Sequence, residues 1–136
     1  MDSKLFKNYG DEKLVLLIDD DPDELELYNY AISSLPFSGS CIPAHNKNMA
    51  FQQLDHLTPD LIIIDYTLPG KNGLDILGDI RKLPGLNNIP IVFCSTVMND
   101  QLRSRALEAG ATYCIKKLNE LRDISNLLNS ILVNEK

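Results

Sequence analysis

No apolar run in this chain approaches the roughly 20 residues that a membrane-spanning helix needs. The opening stretch, Met1-Asp2-Ser3-Lys4-Leu5-Phe6-Lys7, carries no apolar signal segment. Neither a membrane protein nor a secreted one is expected, and the cytoplasm is the expected compartment. Cysteine is scarce. Cys41, Cys94 and Cys114 stand singly inside apolar segments, without a CxxC pair. That spacing argues against a thiolate zinc site and reads as buried, reduced thiols. Positive charge is short as well: 13 Lys and Arg against 19 Asp and Glu leave a net charge of −6. Nucleic-acid binding, which needs a basic face, is therefore not expected. Glycine-rich phosphate loops are missing, since neither GxGxxG nor the P-loop occurs. Internal repeats, low-complexity tracts and linkers are absent too.

What is present is an ordinary globular composition, 44% hydrophobic and 24% charged over 136 residues, enough for one domain with a real core. Two unbroken apolar runs dominate it, Leu14-Val15-Leu16-Leu17-Ile18 and Leu61-Ile62-Ile63-Ile64. Short runs of this kind read as strands buried on both faces, as in parallel sheets. Both end in acid, the first in Asp19-Asp20-Asp21-Pro22-Asp23-Glu24 and the second in Asp65. Asp21 as N-cap, Pro22 at N1 and Glu24 at N3 predict a capping box opening a helix with Leu25, Tyr28, Ala31 and Ile32 inward.

Ser40 to Ala44 is a weaker strand, and Pro43 places it at an edge. Asn46 or Asn48 caps a short second helix. Leu74, Leu77, Ile80 and Leu83 mark a third helix, ended by Pro84-Gly85. Ile89 to Cys94 predicts a strand leading into Ser95-Thr96. Asn99 or Asp100 starts a fourth helix with Leu102, Ala106 and Leu107 inward and Gly110 at its end. Thr112 to Ile115 is a short strand ending in Lys116-Lys117. Leu121, Ile124, Leu127, Leu128, Ile131 and Leu132 mark the last helix. Tyr28, Tyr30, Phe51 and Phe93 are expected in or near the core, while His45 and His56 read as surface residues.

Five strand-then-helix units predict an α/β fold, a (βα)5 flavodoxin-like doubly wound parallel sheet of order 2-1-3-4-5. Residues 1–12 read as an N-terminal extension and 13–136 as the domain. In that order Asp19, Asp20, Asp65, Ser95, Thr96 and either Lys116 or Lys117 meet at the carboxyl ends of neighbouring strands, where open α/β sheets place their ligands. Three carboxylates in one crevice call for a cation. Oxygen ligands without His or thiolate specify Mg2+, with Mn2+ possible, rather than zinc. Beside them an ammonium and a hydroxyl suit phosphoryl oxygens, and a carboxylate can attack phosphorus.

These segments resemble the receiver domain of two-component response regulators, of which the bacterial chemotaxis regulator is the single-domain example. The resemblance rests on Leu-Leu-Ile-Asp19-Asp20-Asp21-Pro22, Ile-Asp65-Tyr-Thr-Leu-Pro69-Gly-Lys-Asn-Gly73, Pro90-Ile-Val-Phe-Cys-Ser95 and Gly110-Ala-Thr-Tyr-Cys-Ile-Lys-Lys117. It implies that Asp65 is the phospho-acceptor and that Asp19, Asp20, Asp65 and the Thr67 backbone carbonyl hold Mg2+. It implies further that Ser95 is the switch hydroxyl, that Lys117 binds phosphate and that Thr96 governs phosphate access. The expected donor is a histidine kinase or histidine phosphotransfer protein. A downstream protein would dock on the fourth helix, fifth strand and fifth helix.

The implied role is a phosphorylation-dependent switch without an output domain, slow to dephosphorylate and not a turnover enzyme. A non-phosphorylated receiver-like interaction module and a haloacid-dehalogenase-type phosphatase are the alternatives. Three positions depart from the family pattern. Leu118 replaces the proline that follows the lysine, Cys114 the switch aromatic, and Thr96 a small residue. A cis bond before a non-proline costs roughly 2.5–4 kcal/mol, so the Lys117–Leu118 peptide is expected to be trans.

Overall fold

The computed structural model describes residues 12–68 and 70–133. All but the last residue of the expected N-terminal extension therefore lies outside the described residues. Strands β1 (Lys13–Ile18), β2 (Gly39–Ala44), β3 (Leu61–Asp65), β4 (Ile91–Ser95) and β5 (Tyr113–Lys116) alternate with helices. The helices are α1 (Pro22–Ser33), α2 (Lys47–His56), α3 (Gly73–Arg81), α4 (Asp100–Ala109) and α5 (Leu121–Val133). All strand pairings are parallel, in the order β2-β1-β3-β4-β5. This is the doubly wound sheet that the alternation predicted.

The unbroken apolar runs arise because successive strand residues face opposite sides and both sides are covered. Leu16, Ile18, Ile62, Ile64 and Phe93 pack with Leu77, Ile80 and Ala106 of α3 and α4. Val15, Leu17, Ile63 and Val92 pack with Tyr28 and Ile32 of α1 and Ile124 and Leu128 of α5. Each fully buried side chain of this size contributes about 1.5–3 kcal/mol of transfer free energy. Pro43 sits in β2, an edge strand, as the missing N–H requires.

Differences from the sequence reading cluster at element ends and on helix surfaces. β4 begins at Ile91, not Ile89, and α3 stops at Arg81, short of Leu83. Leu83 precedes Pro84, and the residue before a proline is disfavoured in the helical region. Tyr30 and Leu107 are exposed rather than inward, at 64% and 49%. Asp21 caps α1 by accepting from the Asp23 N–H, but the capping box does not close. The Asp21 N–H donates to Asp19 Oδ1 at 3.0 Å, and Glu24 is buried instead. No helix among the described residues is long and apolar enough to cross a membrane.

Candidate functional site

β1 ends at Ile18 and β3 at Asp65, side by side in the sheet, so their carboxyl ends deliver Asp19, Asp20 and Asp65 to one place. One oxygen from each of the three lies within 4.8 Å of the others. Asp19 and Asp65 are buried while Asp20 is exposed. The Lys117 ammonium bridges the buried pair, 3.1 Å from Asp19 Oδ2 and 3.2 Å from Asp65 Oδ2. Lys116 is exposed, so the choice between the two lysines falls on Lys117. Its backbone N–H donates to the Ser95 carbonyl, which carries β4–β5 pairing one residue past the strand end. The Lys117–Leu118 peptide is trans, as expected, and the described residues contain no cis peptide bond.

Charge and burial oppose each other here. Burial raises the Asp65 carboxyl, and Asp19 adds to that, while Lys117 and the Thr67 N–H pull it back, leaving it above the ordinary carboxylate range. Burial alone would lower the Lys117 ammonium, but Asp19 and Asp65 outweigh that and raise it. The lysine is fully charged at neutral pH.

Ser95 closes β4 and is buried, and its hydroxyl is bonded to Val97 rather than to Asp65. It donates to the Val97 carbonyl at 2.9 Å and accepts from the Val97 N–H at 3.3 Å. Thr67 and Thr96 are exposed and help line a cleft of about 380 Å3 beside Ser95, with Tyr66, Val97 and Arg105 among its other walls. On the same side of the sheet, under α4, Cys114 occupies β5 with a buried side chain, and the Arg103 guanidinium of α4 donates to its carbonyl. His45 is exposed, with Nδ1 3.4 Å from the Asp19 carbonyl.

Gly73 fixes Asp65 from below. A Cβ on Gly73 would lie 2.1 Å from the Asp65 carbonyl oxygen, so the first turn of α3 approaches the end of β3 as closely as backbone allows. Asn72 caps that helix through the Asp75 N–H. The loop between Asp65 and α3 is tied outward as well: Lys71 and Lys47 both reach Asp79 Oδ2, at 3.0 and 2.8 Å.

Comparison with known proteins agrees with this geometry. Residues 15–129 match the family described as the response regulator receiver domain. The chain belongs to that family. A two-component response regulator, ORR1, from Oryza sativa subsp. japonica is 30% identical over 123 residues, covering 85% of this chain and 53% of its own length. The phosphate regulon transcriptional regulatory protein PhoB from Pseudomonas aeruginosa is 26% identical over 120 residues, covering 88% and 52%. This receiver chain thus spans about half the length of those two relatives.

Among solved structures, the phosphorylated cyanobacterial phytochrome response regulator RcpA superposes with a TM-score of 0.82 at 22% identity, covering 92% of this chain and 97% of its own. The Mn(2+)-bound form of response regulator Rcp1 gives 0.79 at 23%, covering 91% and 97%. At these identities the likeness is one of fold. Receiver domains serve phosphorylation-dependent signalling with histidine kinase or phosphotransfer partners. The acid cluster suits a divalent cation: three carboxylates without a His or thiolate in the set are a hard-oxygen donor set.

Glu24, buried at the third position of α1, entered the sequence analysis only as a capping residue. Capping logic claimed it first, although it also falls on the Tyr28, Ala31 and Ile32 stripe, four, seven and eight residues ahead.

Proposed function

We propose that this receiver accepts a phosphoryl group on Asp65 from a phosphohistidine of a kinase or phosphotransfer protein, in the presence of Mg2+. The observation that carries the reading is the meeting of Asp19, Asp20 and Asp65 in one place, with the Lys117 ammonium against Asp19 and Asp65. An Asp65 oxygen attacks phosphorus, the bond from phosphorus to the donor nitrogen breaks, and the leaving imidazole keeps the electron pair and takes a proton. The product on Asp65 is an acyl phosphate. Asp19, Asp20, Asp65 and the Thr67 carbonyl would hold the cation, which when bound supplies charge neutralisation for the phosphoryl oxygens. Lys117 balances a further oxygen, and Ser95, released from Val97, donates to another. Thr96 stands at the rim and limits the size of what enters.

The charge placed on Asp65 biases one of two states, and a partner reads the outcome on the α4-β5-α5 face. Leu107 and Tyr113 on α4 and β5 are already exposed there, at 49% and 45%. Neither Thr67 nor Val97 carries a carboxylate or amide to orient an attacking water. The phosphoryl group is therefore long-lived, and the protein is a switch rather than a turnover enzyme.

Incubation with Mg2+ and acetyl phosphate tests this by intact mass. One added phosphoryl group, lost in Asp65→Asn and decaying over minutes or longer, is the expected result. No adduct, with fluoroberyllate also failing to bind, would leave the non-phosphorylated interaction module. Turnover of many phosphate esters dependent on Asp19 would point to the phosphatase. A half-life of seconds would remove the claim of slow decay.

A further inference from the structure

Of the four buried polar or charged side chains among the described residues, Asp19, Asp65, Ser95 and Glu24, only Glu24 has no part in the chemistry above. It is 8% exposed and lies at the third position of α1, on the stripe that continues through Tyr28, Ala31 and Ile32 into the core. An apolar side chain would continue that stripe without cost, whereas a buried carboxylate is unfavourable unless something compensates it. Capping does not compensate it, because the Asp21 N–H donates to Asp19. No side chain among the described residues is hydrogen-bonded to the Glu24 carboxylate, whose oxygens keep an edge of solvent contact. The charges that bear on it are Lys117 first, then Asp19, Asp21 and Asp65. Strand alternation puts Asp19 and Asp65 on the face of Leu17 and Ile63, against which this stripe of α1 packs, so Glu24 faces the acid cluster from the α1 side.

Lys117 supplies the other half of the argument. Its ammonium rests on Asp19 Oδ2 and Asp65 Oδ2, and both carboxylates belong to the proposed cation set. An ammonium and a divalent cation are like charges competing for the same acceptors, so the lysine needs another acceptor close by when the cation arrives. We infer that Glu24 is a positioning residue that receives the Lys117 ammonium when a divalent cation occupies Asp19 and Asp65. The ammonium then stays at the site, available to a phosphoryl oxygen, instead of swinging into solvent. This rests on the reading of the acid cluster as the cation site.

Calorimetric titration of Mg2+ into the wild-type protein, E24Q, K117M and the double variant tests it as a cycle. K117M removes the competing ammonium and tightens Mg2+ binding. With Lys117 present, E24Q weakens Mg2+ binding about 5- to 10-fold; with Met at 117 the loss shrinks to less than about 2-fold. An equal loss in both backgrounds means that Glu24 acts only through its negative field, and overturns the inference. No loss in either background overturns it also. Circular dichroism checks that each variant folds, with K117Q replacing K117M if the latter does not. Failure of the wild-type protein to bind Mg2+ would end both this inference and the reading of the cluster. A labelled Asp65 together with an additive cycle would end this inference alone.

Discussion

At the scale of single residues, Asp65 is held by an absence. Gly73 has no Cβ because the Asp65 carbonyl fills the space where one would be. Gly73→Ala must push α3 away from β3 or displace Asp65, and overpacking of this kind costs about 1–3 kcal/mol or more. We expect urea unfolding of that variant to show a loss at or above the top of this range. A loss below about 0.5 kcal/mol would mean that the contact relaxes freely. Gly73 closed the motif after Asp65, but its contact was not legible there, because the close approach is made by a strand eight positions earlier. Lys117 was half legible: its spacing from Gly110 put it in reach, but Lys116 stood beside it. What separates them is that Lys117 pairs with Asp19 and Asp65 while Lys116 is exposed, a tertiary fact. The three thiols read as buried are buried and free, and burial pushes the Cys41 thiol up to about 12.

At the scale of elements, the strands were legible because burial on both faces leaves an unbroken apolar run. Helix ends and outer faces were less so. Asn46 and Asn99 cap α2 and α4, settling two choices that propensity left open. The Lys71–Asp79–Lys47 bridge was invisible, since it joins a loop and two helices. Those two lysines hold the Asp79 carboxyl down to about 2, from an ordinary 3.8. A depressed folded-state value means that the contribution is complete above the unfolded value and disappears as pH falls from about 4 to 2. All three side chains are partly exposed, so solvent screening keeps the contribution within about 1 kcal/mol. Melting temperatures of wild type and Asp79→Asn should therefore differ modestly at pH 7 and converge near pH 2. A gap that widens on acidification would contradict the assignment.

At the scale of the whole molecule, the net charge of −6 and the crowding of carboxylates at one end of the sheet make the apo protein self-repelling there. A cation binding the folded state alone stabilises it by RT ln(1 + [L]/Kd), about 2.7 kcal/mol at a hundredfold excess over Kd. Saturating Mg2+ should raise the melting temperature by several degrees, and a chelator should reverse it. An unchanged melting curve would count against the site.

The opposite end of the sheet is built for another purpose. Arg81 at the end of α3 donates to the Gly110 and Leu86 carbonyls, both at 2.8 Å, and to Thr112 Oγ1 at 3.3 Å. Its stem fills the space beside Gly110, whose φ of 117° ends α4. Arg103 pins the same helix to β5 farther along. Arg81 thus anchors the rear of α4 at Gly110, while Arg103 ties its first half to β5. Amide exchange should therefore be fastest in the loop through the exposed Val97 and slowest toward Gly110.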